Sequence, residues 1–181
     1  YYSNTNYMLL AQIIENVSGV SYKDYLQTNI FDRCEMNNSV LYTRDNKDEL
    51  IKPVKGYTGN YTECIDIYLN GAVGDKGIYS NVEDMLKFDE ALYNGTLLTD
   101  KSLALAFTEH IDQKNNGQNY GYGFRLTYDD VKGKIPFHTG WWKGFRTYFI
   151  RIPKKQQTII ILSNIKRGPF LNVNDLVNLL P

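Results

Sequence analysis

Two short groups of polar residues, far apart in the chain, carry side chains that could take part in chemistry. Tyr2-Ser3-Asn4 stands directly before an apolar segment, and His138-Thr139-Gly140 ends a run of alternating apolar residues. A phenol and an imidazole can transfer protons, while hydroxyl and amide groups can bind a substrate carbonyl or carboxylate. Such triplets also occur by chance, so their order and surroundings decide the interpretation.

A serine nucleophile with an adjacent base is the element that this chemistry still requires, because a serine hydroxyl at its ordinary pKa reacts poorly. The chain contains a Ser-x-x-Lys string, Ser163-Asn164-Ile165-Lys166, which follows the apolar run 158–162 and does not open a helix. A lysine three residues on lies beside the serine in a helix, but not after a strand. We therefore do not expect Ser163 to be the nucleophile.

Helical periodicity begins immediately after the first polar group. Ser3-Asn4-Thr5 suits the N-cap of a helix predicted over residues 5–17, and Gly19 suits its left-handed C-terminal cap. Apolar residues lie on almost every side of this helix, which is typical of a well-buried helix. Further helices are predicted at 21–30, from a capping box that starts at Ser80, at 100–110 and at 172–180.

Period-two alternation predicts strands in the second half of the chain, at residues 123–128, 135–139, 146–152 and 158–162. Short turns join neighbours, so these strands are expected to be antiparallel. Residues 32–77 hold scattered turn-formers, which we interpret as irregular walls around a cleft. The pattern indicates an α+β fold, an antiparallel sheet flanked by helices, and the small number of strands indicates that the fold is incomplete.

Composition excludes several classes of function. Twenty basic residues balance twenty acidic ones, so no net charge would attract nucleic acid or an anionic membrane. His110 and His138 lack metal-binding spacing, so we expect no metal and no cofactor. Cys34 and Cys64 are too few for a disulfide scaffold, and whether they pair stays open. The chain begins on Tyr1, inside a motif, which we interpret as the boundary of a piece of a longer protein.

Taken together, these residues resemble the class C β-lactamase and low-molecular-weight penicillin-binding protein superfamily. In that family a Ser-x-x-Lys motif precedes a Tyr-x-Asn motif and then a Lys-Thr-Gly or His-Thr-Gly motif on a strand. Tyr2-Ser3-Asn4 and His138-Thr139-Gly140 match the second and third motifs, and Tyr120-Gly121-Tyr122-Gly123-Phe124 is also similar. The resemblance implies that residues 1–181 are the C-terminal portion of a single β-lactamase-like domain that lacks its Ser-x-x-Lys motif.

The resemblance implies catalytic roles for three residues. Tyr2 would take the proton of the serine nucleophile and return it to the leaving group. Asn4 would donate to the substrate's amide carbonyl and accept from the catalytic lysine. His138 would add a charge or a hydrogen-bond donor beside the substrate.

The resemblance also implies that the third-motif strand binds substrate. Thr139 would hydrogen-bond a substrate carboxylate, and Gly140 would let the two backbones approach closely. The backbone N–H of Trp141 would be an oxyanion donor. An aromatic pair that only packs is the other interpretation of Trp141 and Trp142.

The implied function is that of a serine hydrolase acting through an acyl-enzyme on a β-lactam, a D-amino-acid peptide or an ester, with a DD-peptidase favoured. A non-catalytic relative that binds peptide or cell wall, and an unrelated structural domain, are the alternatives. We expect the full-length protein to be exported and this fragment to be inactive. Apolar surface exposed by truncation would favour self-association, and no nucleic-acid partner is expected.

Overall fold

The computed structural model describes residues 2–46, 54–110 and 119–181 of the chain. The chain forms two compact units, of which the first consists of Tyr1–Val54 and Ile65–Ala91 and the second of Lys55–Cys64 and Leu92–Pro181. Helices combine with antiparallel sheets, so the predicted α+β class is confirmed. The assignment of residues 1–181 to one incomplete domain stays a prediction.

The first unit is mainly helical. Its helices are α1 (Asn4–Ser18), α2 (Tyr22–Leu26), which runs on into a π-helical turn at Gln27–Phe31, and α3 (Val82–Tyr93), whose last two residues belong to the second unit. Two short strands, β1 (Val40–Leu41) and β2 (Ile78–Tyr79), pair antiparallel, and a 3-10 turn lies at Tyr68–Gly71. The remaining described residues between α2 and β2 are irregular, as the scattered turn-formers predicted.

Helix α1 begins and ends as predicted, but the prediction of a well-buried helix is wrong. Ser3 has the extended backbone of an N-cap and Gly19 the left-handed one of a C-terminal cap, with φ of 75°. Ala11 is the buried residue of the helix, whereas Ile13 and Val17 are 53% and 83% exposed. A helix that is apolar on every side needs neighbours on every side, and the described residues cover only one face.

Helix α3 begins one residue later than its capping box predicted. The side chain of Asn81 accepts from the backbone N–H of Asp84 at 2.8 Å, so Asn81 caps the helix. The Ser80 hydroxyl lies instead 2.7 Å from that of Ser39, which donates to the buried Asp84 carboxylate at 2.8 Å. This contact with the segment before β1 occupies Ser80 and shifts the cap by one residue.

The second unit is built on a five-stranded meander in sequential order, each strand antiparallel to the next. The strands are β3 (Asn119–Tyr120), β4 (Arg125–Asp129), β5 (Gly133–Trp142), β6 (Phe145–Ile152) and β7 (Gln157–Ser163). Three of the predicted runs lie within β5, β6 and β7, and the run 123–128 overlaps β4, which begins two residues later; the predicted strands and their antiparallel pairing are confirmed.

Each face of this sheet packs against a helix. Helix α5 (Val173–Asn178) covers a core that includes Ile135, Phe137, Ile150 and Val177. Leu126 points to the opposite face because it pairs with Pro136, which lies between Ile135 and Phe137. There it packs with the last residues of α4 (Asp100–Ala106), a helix that ends four residues before its predicted end.

Among the helices of the described residues, none combines the length and hydropathy needed to cross a membrane. Cys34 and Cys64 are both free thiols.

Candidate active site

The Tyr-x-Asn motif lies at the start of α1. Ser3 is the N-cap and Asn4 the first helical residue, so both catalytic candidates of this motif flank the cap. The Tyr2 ring is 44% exposed and lies 5.7 Å from the ring of Tyr7, one turn along the helix. Tyr2 and Asn4 thus lie on either side of the N-cap, where the chain enters the helix.

A loop with a closely held ion pair packs against the same helix. A Cβ atom at Gly74 would lie 2.4 Å from the carbonyl oxygen of Tyr7 and 2.9 Å from Cβ of Ala11. Only glycine fits this approach, and its φ of 101° favours glycine further. The next two residues, Asp75 and Lys76, form an ion pair at 2.7 Å with side chains only 2% and 13% exposed. Sequence analysis treated this segment as a turn and missed the charged pair.

The third motif lies on β5, as predicted from its alternating pattern. Strand β4 pairs with β5 only up to Phe137, which is opposite Arg125, whereas β6 pairs with β5 as far as Trp142. Residues 138–142 thus have β6 on one side and no strand on the other among the described residues. A strand edge of this kind can accept an extended peptide by backbone hydrogen bonds.

The His138 imidazole is partly buried and hydrogen-bonded through both nitrogens. Its Nε2 lies 2.9 Å from the Tyr120 hydroxyl, and its Nδ1 lies 2.9 Å from the carbonyl oxygen of Thr139. Burial lowers the pKa of His138, the positive charge of Arg125 lowers it further, and the hydrogen bond to the Thr139 carbonyl opposes both. The ring is therefore neutral near pH 7, which favours a hydrogen-bonding role over a charged one.

Gly140 leaves room for the Thr147 side chain inside the sheet. It pairs with Thr147 of β6, and a Cβ atom at Gly140 would lie 2.5 Å from the Thr147 hydroxyl oxygen. The resemblance implied close approach of a substrate backbone at this residue. The structure shows a close approach of the neighbouring strand, and a role towards substrate stays a prediction.

Trp141 is 53% exposed, and the ammonium group of Lys166 lies 4.3 Å from the centre of its ring. This contact, a cation–π interaction, turns the lysine of the Ser-x-x-Lys string towards β5. Ser163 is the last residue of β7, and its hydroxyl contacts the backbone of Ile165. The geometry supports the expectation that Ser163 is not an activated nucleophile.

The two motifs belong to different units: Tyr2 and Asn4 to the first, and His138, Thr139, Gly140 and Trp141 to the second. In the family resemblance both motifs act on one substrate bond and would have to approach each other across a cleft, and this stays a prediction. Sequence analysis gave no role to Tyr120 or Arg125, both of which act on His138. The similarity of the segment 120–124 to the family indicated that this segment matters. Only the pairing of β3, β4 and β5 shows that Tyr120 and Arg125 lie near His138.

The described part of the first unit also contains an open cavity of about 390 Å³. It is lined by Tyr42, Arg44, Asp66, Ile67, Tyr68 and Gly71. None of the predicted site residues lines it, so the candidate site remains with the two motifs. In the described residues no group of three or more His, Cys, Asp or Glu side chains is placed to hold a metal ion.

Known proteins resemble this chain over most of its length. The family model described as Beta-lactamase matches residues 1–180. Penicillin-binding protein 4* of Bacillus subtilis is 36% identical over 182 residues, which cover 90% of this chain and 39% of that protein. A D-aminopeptidase of Gluconobacter oxydans is 26% identical over 168 residues, which cover 90% of this chain and 31% of that enzyme.

Among solved structures, the octameric penicillin-binding protein homologue from Pyrococcus abyssi matches with a TM-score of 0.80 and 26% identity. The match covers 93% of this chain and 39% of that one. The chain thus spans about two fifths or less of the length of these relatives.

Proposed function

The chain belongs to the beta-lactamase family, and from this premise we propose that the whole protein is a serine hydrolase that cleaves amide bonds of D-amino-acid peptides through an acyl-enzyme. The observation that carries the proposal is the position of His138-Thr139-Gly140 on the part of β5 that extends beyond β4. That segment offers an open backbone edge, a hydroxyl and an exposed tryptophan in one stretch of strand.

The substrate would lie along this edge as an extended peptide. Backbone hydrogen bonds to β5 supply affinity without regard to side chains, and the Thr139 hydroxyl can donate to a substrate carboxylate. The names of two relatives, a penicillin-binding protein and a D-aminopeptidase, support a substrate with a D-configured residue.

The proposed reaction has two steps. The oxygen of a serine from a Ser-x-x-Lys motif outside this chain attacks the substrate carbonyl carbon, and Tyr2, as phenolate, takes the serine proton. The backbone N–H of Trp141 stabilises the negative carbonyl oxygen, the carbon–nitrogen bond breaks, and Tyr2 returns the proton to the leaving amine. A water molecule then attacks the acyl-enzyme ester and regenerates the serine. Asn4 orients the substrate amide throughout.

The location proposed for this activity is outside the cytoplasm. Peptides that contain D-amino acids are components of the bacterial cell wall, and a penicillin-binding protein is among the relatives. We accordingly propose that the whole protein is exported.

The test uses the full-length protein that contains this chain. We expect it to hydrolyse a D-alanyl-D-alanine peptide or a D-amino-acid amide and to be labelled by a fluorescent penicillin. Tyr2→Phe removes the proton acceptor and should lower kcat by about 10²- to 10⁴-fold, the range for loss of general acid–base catalysis. Tyr25→Phe on α2 removes a hydroxyl from the same unit and serves as the matched control.

Two outcomes contradict the proposal. If the full-length protein binds the peptide but neither cleaves it nor reacts with penicillin, it is a binding protein of this fold. If Tyr2→Phe and Tyr25→Phe have equal activity, Tyr2 is not the proton acceptor.

A further inference from the structure

The contacts of His138 determine which of its nitrogens carries the proton. Nδ1 lies 2.9 Å from the carbonyl oxygen of Thr139. A carbonyl oxygen can only accept a hydrogen bond, so Nδ1 must be the donor and must carry a hydrogen. In a neutral imidazole the other nitrogen, Nε2, is then an acceptor.

Tyr120 supplies the hydrogen for that acceptor. Its hydroxyl lies 2.9 Å from Nε2, and its ring meets the imidazole edge-on at 6.0 Å between centroids. The hydroxyl of tyrosine can donate or accept, but with Nδ1 protonated and the ring neutral it has to donate. The neutral state itself is inferred from the lowered pKa of His138, which burial and the charge of Arg125 cause.

Several contacts fix the position of Tyr120. Tyr120 is only 9% exposed and pairs with Arg125 at the β3–β4 hairpin. The loop of this hairpin is tied to the end of α4, because the N–H of Tyr122 donates to the Ala106 carbonyl at 2.8 Å. A Cβ atom at Gly121 would lie 2.0 Å from that same carbonyl oxygen, so only glycine lets the loop come this close.

We propose that Tyr120 is a positioning residue for the third motif. Tyr120 holds His138 as a neutral imidazole protonated on Nδ1, and through His138 it orients the Thr139 carbonyl. The effect of Tyr120 on catalysis rests on the proposed function. The Thr139 carbonyl belongs to the same peptide plane as the Gly140 N–H, and it lies between the Thr139 hydroxyl and the Trp141 N–H. A change in the orientation of this plane alters the backbone dihedral angles of Thr139 and Gly140, which connect the Thr139 side chain to the Trp141 N–H.

The connected contacts form a relay from α4 through Tyr120 and His138 to β5. In the neutral ring each of the two His138 hydrogen bonds has one direction, so together they favour one orientation of the strand where β4 no longer supports it. Neutral His138 then acts by hydrogen bonding alone and presents no charge to the substrate.

The first experiment is a two-bond ¹H–¹⁵N NMR spectrum of the imidazole rings. The chain has only two histidines, so His138→Gln assigns the signals. We expect the His138 pattern of a ring protonated on Nδ1, with a bare Nε2 nitrogen that accepts a hydrogen bond. Tyr120→Phe should shift the Nε2 resonance towards that of a nitrogen without a donor, and the Gly140 amide resonance should move with it.

Tyr128→Phe is the matched control, because Tyr128 lies on β4 and its hydroxyl bonds to Glu109. It should leave both resonances unchanged. A His138 ring protonated on Nε2 in the unmodified protein overturns the inference, and so does a Tyr120→Phe spectrum in which the Nε2 resonance has not moved.

The second experiment measures hydrolysis by the full-length protein. Tyr120→Phe should lower kcat/KM about tenfold, the effect of losing roughly one hydrogen bond, while Tyr128→Phe should not. If the resonances shift but kcat/KM is unchanged, Tyr120 does not position the motif. If the unmodified protein is inactive, the proposed function fails, but the NMR result still tests the relay by itself.

Discussion

The role of Gly140 in the third motif can be tested by adding one methyl group. In Gly140→Ala the new Cβ would lie 2.5 Å from the Thr147 hydroxyl oxygen but 3.9 Å from the Thr147 Cβ. Contacts below 3.0 Å do not occur for real Cβ atoms, so either Thr147 leaves its rotamer or β5 and β6 move apart. The clash is with one side-chain atom and not with the backbone.

The expected cost follows from this geometry. Overpacking by one methyl group costs about 1–3 kcal/mol, and a β-branched threonine has few rotamers with which to avoid it. Thr147→Ala removes the hydroxyl and leaves only the ordinary contact at 3.9 Å. The double variant should therefore be about as stable as Thr147→Ala alone, with a coupling free energy of about 1–3 kcal/mol.

The assay is urea unfolding of the full-length protein for the wild type, both single variants and the double variant. Gly56→Ala is the control, because its Cβ would lie 2.0 Å from the backbone oxygen of Lys143. Truncating Thr147 cannot relieve that clash. Zero coupling between Gly140→Ala and Thr147→Ala would refute the packing explanation. A double variant that regains stability but not activity would show that the substrate also needs glycine here.

Three further predictions concern the isolated chain and the pH response. The chain alone should not be labelled by a fluorescent penicillin, because Ser163 has no helical lysine partner; labelling mapped to Ser163 by mass spectrometry would contradict this. Replacing Leu10 and Ile13 of α1, 51% and 53% exposed, with glutamine should reduce self-association in sedimentation velocity; unchanged association would place the contact elsewhere. Arg125→Gln should raise the pKa of His138 towards its usual value of about 6.5 in an NMR titration. A His138 pKa that falls in Arg125→Gln would exclude Arg125 as a cause. Because folding lowers this pKa, the contribution of His138 to the stability of the fold is complete above about pH 6.5 and declines as the pH falls below that value.

Local patterns in the sequence were enough to predict strands β4 to β7 and most helix positions, but not the two-residue strands β1, β2 and β3. Alternation along β5 and β6 depends only on which side chains point to each face, and this period is the same in any sheet. The C-terminal end of α1 follows from Gly19, whose left-handed backbone lets its N–H donate to the Glu15 carbonyl within one turn of the helix. The motifs Tyr2-Ser3-Asn4 and His138-Thr139-Gly140 were likewise visible as short strings in the expected order.

Contacts between distant residues were decided only by the tertiary structure. Asn81 replaced Ser80 as the cap of α3 because Ser39, 41 residues away, took the serine hydroxyl. Helix α1 is exposed because burial depends on what packs against a face and not on how apolar the face is. The contact between His138 and Tyr120, 18 residues earlier, arises only through the pairing of three strands. A hydrogen bond requires two groups within about 3 Å, and residue spacing along the chain does not specify that distance until the register of the sheet is known.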